Sequence, residues 1–133
     1  MQNVAGTAVM ALHETFGVNP ANLVAAIGPC LGPCCGEMGQ EVIDEFRASG
    51  HDEADIERWF GRGARGRRHF DLWRANADQL ERAGLPGEGI HVAQLCTRCR
   101  PDVFHSYRAA GKDVGRMAGV IRARANGPQL GRV

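Results

Sequence analysis

The chain has 133 residues, with 16 basic against 15 acidic side chains and a net charge of +1. That length suits one domain around a single hydrophobic core and argues against two independent ones. The near-even charge argues against a dedicated nucleic-acid binder, and the lack of any run of roughly eighteen apolar residues or of a basic-then-apolar start argues against a membrane protein, so a cytoplasmic chain is expected.

Val4, Ala8, Leu12 and Phe16 recur at helical spacing, which predicts an opening amphipathic helix capped by Asn3 and ended by Gly17. Asn19-Pro20 marks a turn, because the residue before proline is pushed out of the helical region. Residues 23–27 are continuously apolar and predict a strand covered on both faces. Gly28-Pro29 stops it, and the loop through Gly36 holds three glycines, two prolines and three cysteines, a tightly bent backbone of the kind that often carries sites. Val42, Ile43 and Phe46 give the next helix one apolar face, with Glu37, Glu41 and Asp44 toward its start, where the helix dipole favours them. Residues 52–60 predict a short helix with an aromatic end, and the glycine- and arginine-rich residues 62–68 an exposed, mobile loop. Asp71 is the expected cap of a further helix with Leu72, Trp73, Ala77 and Leu80 on one face, ended by Gly84 before Pro86. Residues 90–93 predict a short strand, 96–116 irregular structure, 117–121 a last apolar strand, and 127 onward a frayed tail. This order suits a mixed α/β (α+β) fold, a layered mixed sheet with flanking helices.

Five cysteines, two of them adjacent, make a poor disulfide framework and suit thiols kept reduced. Cys34 and Cys35 together with the Cys96-Thr97-Arg98-Cys99 pair suggest a tetrahedral zinc site, and hence a small zinc-binding, cysteine-rich module with a binding or regulatory role. Against this, adjacent cysteines direct their side chains apart, and no second well-spaced pair accompanies Cys96 and Cys99. The adopted reading is buried or unpaired thiols, with no metal ligand assigned. A thioredoxin-like role for Cys96 and Cys99 requires a helix start, and Pro101 follows instead. His105, Ser106, Tyr107 and Arg108 form a polar cluster ahead of Gly115-Arg116. Arg108 or Arg116 can grip a phosphate or carboxylate with a bidentate fork, or tie a loop to backbone carbonyls, and the residues leave both open. His13, His51, His69 and His91 are isolated. The basic loop has no aromatic residue for base stacking, so it reads as solvated and not as a nucleic-acid contact.

Four pieces stand in order: Ala26-Ile27-Gly28-Pro29 running on to Gly32-Pro33-Cys34-Cys35-x-Glu37-x-Gly39-x-Glu41-Val42; Leu95-Cys96-Thr97; Phe104-x-Ser106-Tyr107-Arg108; and Gly115-Arg116-Met117. In these the chain resembles the laccase-domain family, also described as multicopper polyphenol oxidases, purine nucleoside phosphorylases or peptidoglycan editing factors. It departs from that pattern at Gly36, where the family usually has an aromatic residue, and at Ala109, where it often has a second arginine.

The resemblance implies phosphorolysis of adenosine- or inosine-type nucleosides, adenosine deamination or, historically, phenol oxidation, with zinc or copper in the complete enzyme. It further implies that the metal sits on two histidines and a cysteine in motifs that this sequence does not contain. The expectation is therefore that residues 1–125 form the carboxy-terminal part of one laccase-like domain, followed by a flexible tail at 126–133, and that the chain is inactive alone. No catalytic residue is assigned. His105, Arg108, Arg116 and Cys34 are the candidate substrate-binding residues, and a purine nucleoside and phosphate are the expected small-molecule partners. An unpaired strand edge and an uncovered apolar face are expected to drive self-association or pairing with a complementing amino-terminal half.

Overall fold

Residues 3–63 and 66–122 are described by the computed structural model, and over them the chain alternates short strands with helices. Helix α1 (Val4–Phe16) begins where the Asn3 side chain accepts from the Gly6 N–H at 2.9 Å and ends where Gly17 takes a left-handed φ of 65° and returns its N–H to His13. Both terminal signals in the sequence are thus used. The helix rests on α4 (Leu72–Arg82) through Val9, while Val4 and Phe16 are left 67% and 72% exposed.

A turn at Pro20–Asn22 leads to β1 (Ala25–Ile27), which pairs in parallel with β5 (Ile90–Val92) in the register Ala25 to Ile90 and Ile27 to Val92. The expected two-sided burial of 23–27 is not observed. Leu23, Ala25 and Ile27 pack with Val9, Leu80, Leu85 and Ile90, but Ala26 is exposed and Val24 is 59% exposed. Among the described residues β1 and β5 pair only with each other, so nothing covers the second face.

The second sheet is antiparallel, in the order β2 (Glu37–Met38), β4 (Arg68–Phe70), β3 (Phe60–Arg62). The expected exposed loop at 62–68 is therefore largely a hairpin, with Ala64 and Arg65 outside the described residues. Phe60 and Phe70 face each other in register and are buried, which supplies the energy that a glycine- and arginine-rich turn alone lacks. Helices α2 (Gln40–Ala48) and α3 (Glu53–Trp59) connect β2 to β3; the predicted face of α2 is buried at Ile43 and Phe46, and α3 buries Ile56 together with Trp59 at its expected aromatic end. Asp52 caps α3 and Asp71 caps α4, each accepting a backbone N–H three residues on; Gly84, at φ 100°, follows α4.

Ile43, Phe46, Ile56, Trp59, Phe60, Phe70 and Ala75 form the larger core, with Phe46 edge-on to Phe60 and Trp59. Full burial of an aliphatic member such as Ile43 or Ile56 stabilises by roughly 1.5–3 kcal/mol. Two buried carboxylates pin α3 to α4. Asp78 accepts from Trp59 Nε1 at 2.8 Å and Arg58 at 3.3 Å and forms an ion pair with Arg74 at 2.9 Å, and Asp55 takes the guanidinium of Arg82, with His51 at 3.5 Å.

Among the described residues after β5 the chain is irregular apart from α5 (Tyr107–Ala110) and a turn at Gly111–Asp113. The strand expected at 117–121 is absent: those residues carry no regular structure, and Val120 and Ile121 are 95% and 75% exposed. An apolar run becomes a strand only where a partner edge accepts its backbone, and no described strand offers one there. The tail expected at 126–133 lies outside the described residues. The architecture is mixed α/β, its strands divided between two small sheets rather than one layered sheet, with helices flanking both. Among the described residues no helix is long and apolar enough to cross a membrane.

Candidate functional site

Because β1 and β5 run parallel, the segments that leave their carboxy-terminal ends continue side by side. Cys30 donates its N–H to Leu95 at 3.2 Å and accepts from Thr97 at 3.0 Å, an extra rung that sets Cys30 opposite Cys96. The loop then turns at 33–35 and folds back over Cys96. Gly32 permits this approach, since a Cβ there would lie 2.6 Å from the Trp73 ring and 3.1 Å from the Cys96 Cβ. On its other side the loop is held by β4: His69 Nδ1 is 2.7 Å from the Pro33 carbonyl, and Phe70 donates to the Gly36 carbonyl at 2.8 Å.

The result is one cluster. The Sγ atoms of Cys34, Cys35, Cys96 and Cys99 all lie within 4.8 Å of one another, and Cys99 Sγ is 3.5 Å from both Cys34 Sγ and Cys35 Sγ. All five cysteines are free thiols. The expectation that adjacent cysteines splay apart is not met, because Cys34 and Cys35 sit in a turn and not in extended backbone, where side chains alternate. Cys96 is buried, Cys35 half-buried, and Cys34 and Cys99 are exposed.

The cluster has an internal electrostatic division. Burial raises the Cys96 pKa, but the backbone N–H groups of Gly32, Cys99 and Arg98, with a hydrogen bond from Cys34, outweigh it and bring Cys96 down to about 6. Desolvation, then hydrogen bonding with the thiols of Cys99, Cys96 and Cys35, pushes Cys34 up to about 12. A thiolate thus forms readily at Cys96 on its amide cradle, and Cys34 keeps its proton and shares it with Cys96. Cys30 lies outside the cluster, and burial raises its pKa.

The candidate substrate-binding residues do not converge as one constellation. Cys34 belongs to the thiol cluster. Arg108 lies exposed on α5 and reaches the Met38 Sδ of β2 at 3.8 Å; Arg116 donates to the carbonyls of Val114 and Gly115 in its own loop. His105 packs against Gly115, where a Cβ would come within 2.7 Å of its ring. No hydrogen bond or ion pair among the described residues joins any two of these four. Sequence reasoning missed Gly32, Trp73 and His69 as the residues that shape the cysteine loop. A small residue opposite a large ring leaves no sequence signal, although His69-Phe70 opposite Phe60-Gly61 across a glycine-rich turn is a readable hairpin pattern. The aromatic residue that the family resemblance places at Gly36 has no room here, since a Cβ would lie 2.4 Å from the Phe70 carbonyl oxygen.

A family model described as multi-copper polyphenol oxidoreductase laccase matches residues 1–124. The purine nucleoside phosphorylase YlmD of Geobacillus stearothermophilus is 32% identical over 121 residues, 91% of this chain and 43% of that protein. An adenosine deaminase from an unknown prokaryotic organism is 35% identical over 107 residues, 80% of this chain and 40% of that protein. The crystal structure of the hypothetical protein YfiH of Bacillus licheniformis superposes with a TM-score of 0.72 at 33% identity, over 83% of this chain and 41% of that one. The chain therefore spans about two fifths of the length of the curated relatives it matches. The copper of that family description does not fit the residues present. Among the described residues the one group of His, Cys, Asp or Glu side chains able to share an ion is the four-cysteine cluster, with no histidine in it, and biological copper oxidation sites draw on imidazole.

Proposed function

Since the chain belongs to the multi-copper polyphenol oxidoreductase laccase family, we propose that residues 1–125 form the carboxy-terminal part of a laccase-type domain that processes purine nucleosides. The observation that carries this reading is that relatives sharing the family pattern are named purine nucleoside phosphorylase and adenosine deaminase, and that the fold of this part is preserved at a TM-score of 0.72. The reactions are phosphorolysis of adenosine- or inosine-type nucleosides and deamination of adenosine. This chain contributes a pocket wall and no catalytic centre. Arg108 is the arm for phosphate: it is exposed, and its only hydrogen-bond contact among the described residues is the weak one to Met38 sulfur, so its planar fork remains available. Arg116 holds the loop beside His105, and Cys34 and His105 shape the wall.

The remaining part of the laccase domain, in a longer polypeptide or on a second chain, covers the open apolar groove of about 470 Å³ lined by Val9, Leu12, Val24, Ile27 and Leu80 and supplies the zinc or copper that the reaction uses. Exposed Phe16, one helical turn beyond Leu12, continues this uncovered face, and in isolation it drives self-association. Five free thiols suit a reducing, cytoplasmic setting.

Chromatographic assay of inosine and adenosine with phosphate is the test. The isolated chain gives no turnover. Co-expression with the amino-terminal portion of the Geobacillus stearothermophilus relative restores it, and Arg108→Ala then raises KM for phosphate. Turnover by the isolated chain that Cys34→Ser abolishes would overturn the pocket-wall reading, and failure of every complementation would count against the nucleoside assignment.

A further inference from the structure

We propose that Cys34, Cys35, Cys96 and Cys99 form a tetrathiolate zinc site that clasps the loop after β1 to the loop after β5. The site stands on cysteine geometry and does not depend on the nucleoside reading. Tetrahedral zinc with Zn–S bonds of about 2.3 Å sets its sulfurs about 3.8 Å apart. Here all four lie within 4.8 Å and two pairs are at 3.5 Å, so shifts of an ångström or less reach the coordination shell. The donor count equals the four ligands of a closed structural site; thiolate ligands disfavour magnesium and calcium, and a tetrahedral four-sulfur geometry suits zinc or iron. Zinc is the assignment because the four sulfurs close on a single point, with no space among them for a cluster of several irons.

Three features of the fold build this convergence. The Cys30 rung fixes the two loops in parallel. Gly32 lets one loop lie on Cys96 against the Trp73 ring. The Cys96-Thr97-Arg98-Cys99 turn brings its two sulfurs to the same side, where Cys99 meets ligands 65 and 64 positions away in sequence. A disulfide is the weaker account of the same contacts. Cys99 is equally near Cys34 and Cys35, and oxidation would join it to one of them, at an S–S distance of about 2.05 Å, and leave the other thiol and Cys96 unpaired beside the bond. On binding, four S–Zn bonds form and each proton still held by a thiol passes to solvent; no electron moves. The ion ties together segments distant in sequence, so its binding free energy adds to the stability of the fold. It also holds the Gly28–Gly36 loop at the carboxy-terminal ends of the parallel strands.

The test uses the full chain, expressed with zinc and iron both supplied and purified under reductant. Plasma mass spectrometry is expected to find one zinc per chain, and cobalt(II) in its place to show thiolate-to-metal charge transfer with the d–d bands of a tetrahedral all-sulfur site. Cys99→Ser or Cys34→Ser, both at exposed positions, should weaken zinc by more than about a hundredfold, beyond the loss typical of an outer-shell partner. Cys30→Ser should leave the stoichiometry unchanged. A wild-type chain that takes up no metal at micromolar free zinc, holds iron instead, or carries a Cys34–Cys99 disulfide under reductant overturns the proposal. So does one zinc retained by the doubly substituted Cys96→Ser, Cys99→Ser chain. The wild-type measurement decides the matter even where a variant fails to fold, and it leaves the nucleoside assignment untouched.

Discussion

Truncating Phe46 to alanine removes the ring around which the larger core is assembled. Its side chain is 1% exposed, and its ring centre stands 5.1 Å from Phe70, 5.2 Å from Phe60 and 6.0 Å from Trp59. Burying an aromatic side chain withdraws roughly 150–250 Å² from water. At about 25 cal/mol per Å² that is worth about 4–6 kcal/mol, an upper figure because the unfolded chain already hides part of the area. Alanine keeps some of this burial, whereas the cavity left among three rings that cannot collapse onto it adds a penalty, and core Phe→Ala changes cost about 3–5 kcal/mol. The expected loss is about 4 kcal/mol, close to a thousandfold in the unfolding constant, out of a total of about 5–15 kcal/mol for a domain. Urea unfolding of the reduced chain, followed by the fluorescence of Trp59 and Trp73, measures it, with Phe46→Leu expected to lose less than about 1.5 kcal/mol. The consequence reaches the cysteine loop, because Phe70 packs on Phe46 and its N–H holds the Gly36 carbonyl. A loss below about 1.5 kcal/mol in Phe46→Ala would refute the assignment of these rings as the structural centre.

Asp78→Ala strands the buried Trp59 Nε1 and removes the anion between Arg58 and Arg74; since both arginines are about half exposed, the cost should fall near the low end for a broken buried pair, about 3 kcal/mol by thermal or urea unfolding. The hydrogen-bonded Arg82 guanidinium, opposed by burial and assisted by His51, holds the Asp55 pKa below the ordinary carboxylate value. Its contribution to stability is therefore fully present above about pH 4 and disappears as the pH falls through the lower folded value. Asp55→Asn should flatten the stability profile in that acid window, and an unchanged slope would remove Asp55 as its source. Gly32→Ala places a methyl 2.6 Å from the Trp73 ring and 3.1 Å from the Cys96 Cβ, so zinc affinity measured against a competing chelator should drop by about tenfold or more, whereas Gly28→Ala, with nothing within 4 Å, should leave it unchanged. Gly36→Phe meets the backbone carbonyl of Phe70 and should destabilise by about 2–3 kcal/mol; a neutral result would show that β4 can yield to the aromatic residue usual in the family.

Local signals in the sequence were sufficient for the four longer helices, though not for the short α5, which lies in a segment expected to be irregular. Asn3 and Asp71 cap where they are expected to, Gly17 and Gly84 take the positive φ that ends or follows a helix, and the apolar face of α2 is the buried one, because capping and helical periodicity are decided within a few residues. The family was legible too, in four short motifs matched in order. Strand pairing was not, because it depends on which edge is available: among the described residues the apolar run at 117–121 has no partner strand and 23–27 is covered on one face only, whereas the basic hairpin formed because Phe60 meets Phe70. The cysteines mark the same division. Their number and spacing left adjacent thiols pointing apart as the reasonable expectation, and only the parallel register of β1 with β5, the missing Cβ at Gly32 and the grip of β4 on the loop bring residues 65 positions apart to within 3.5 Å. Distances across the fold are set by packing summed over the whole chain, and no window of the sequence contains them.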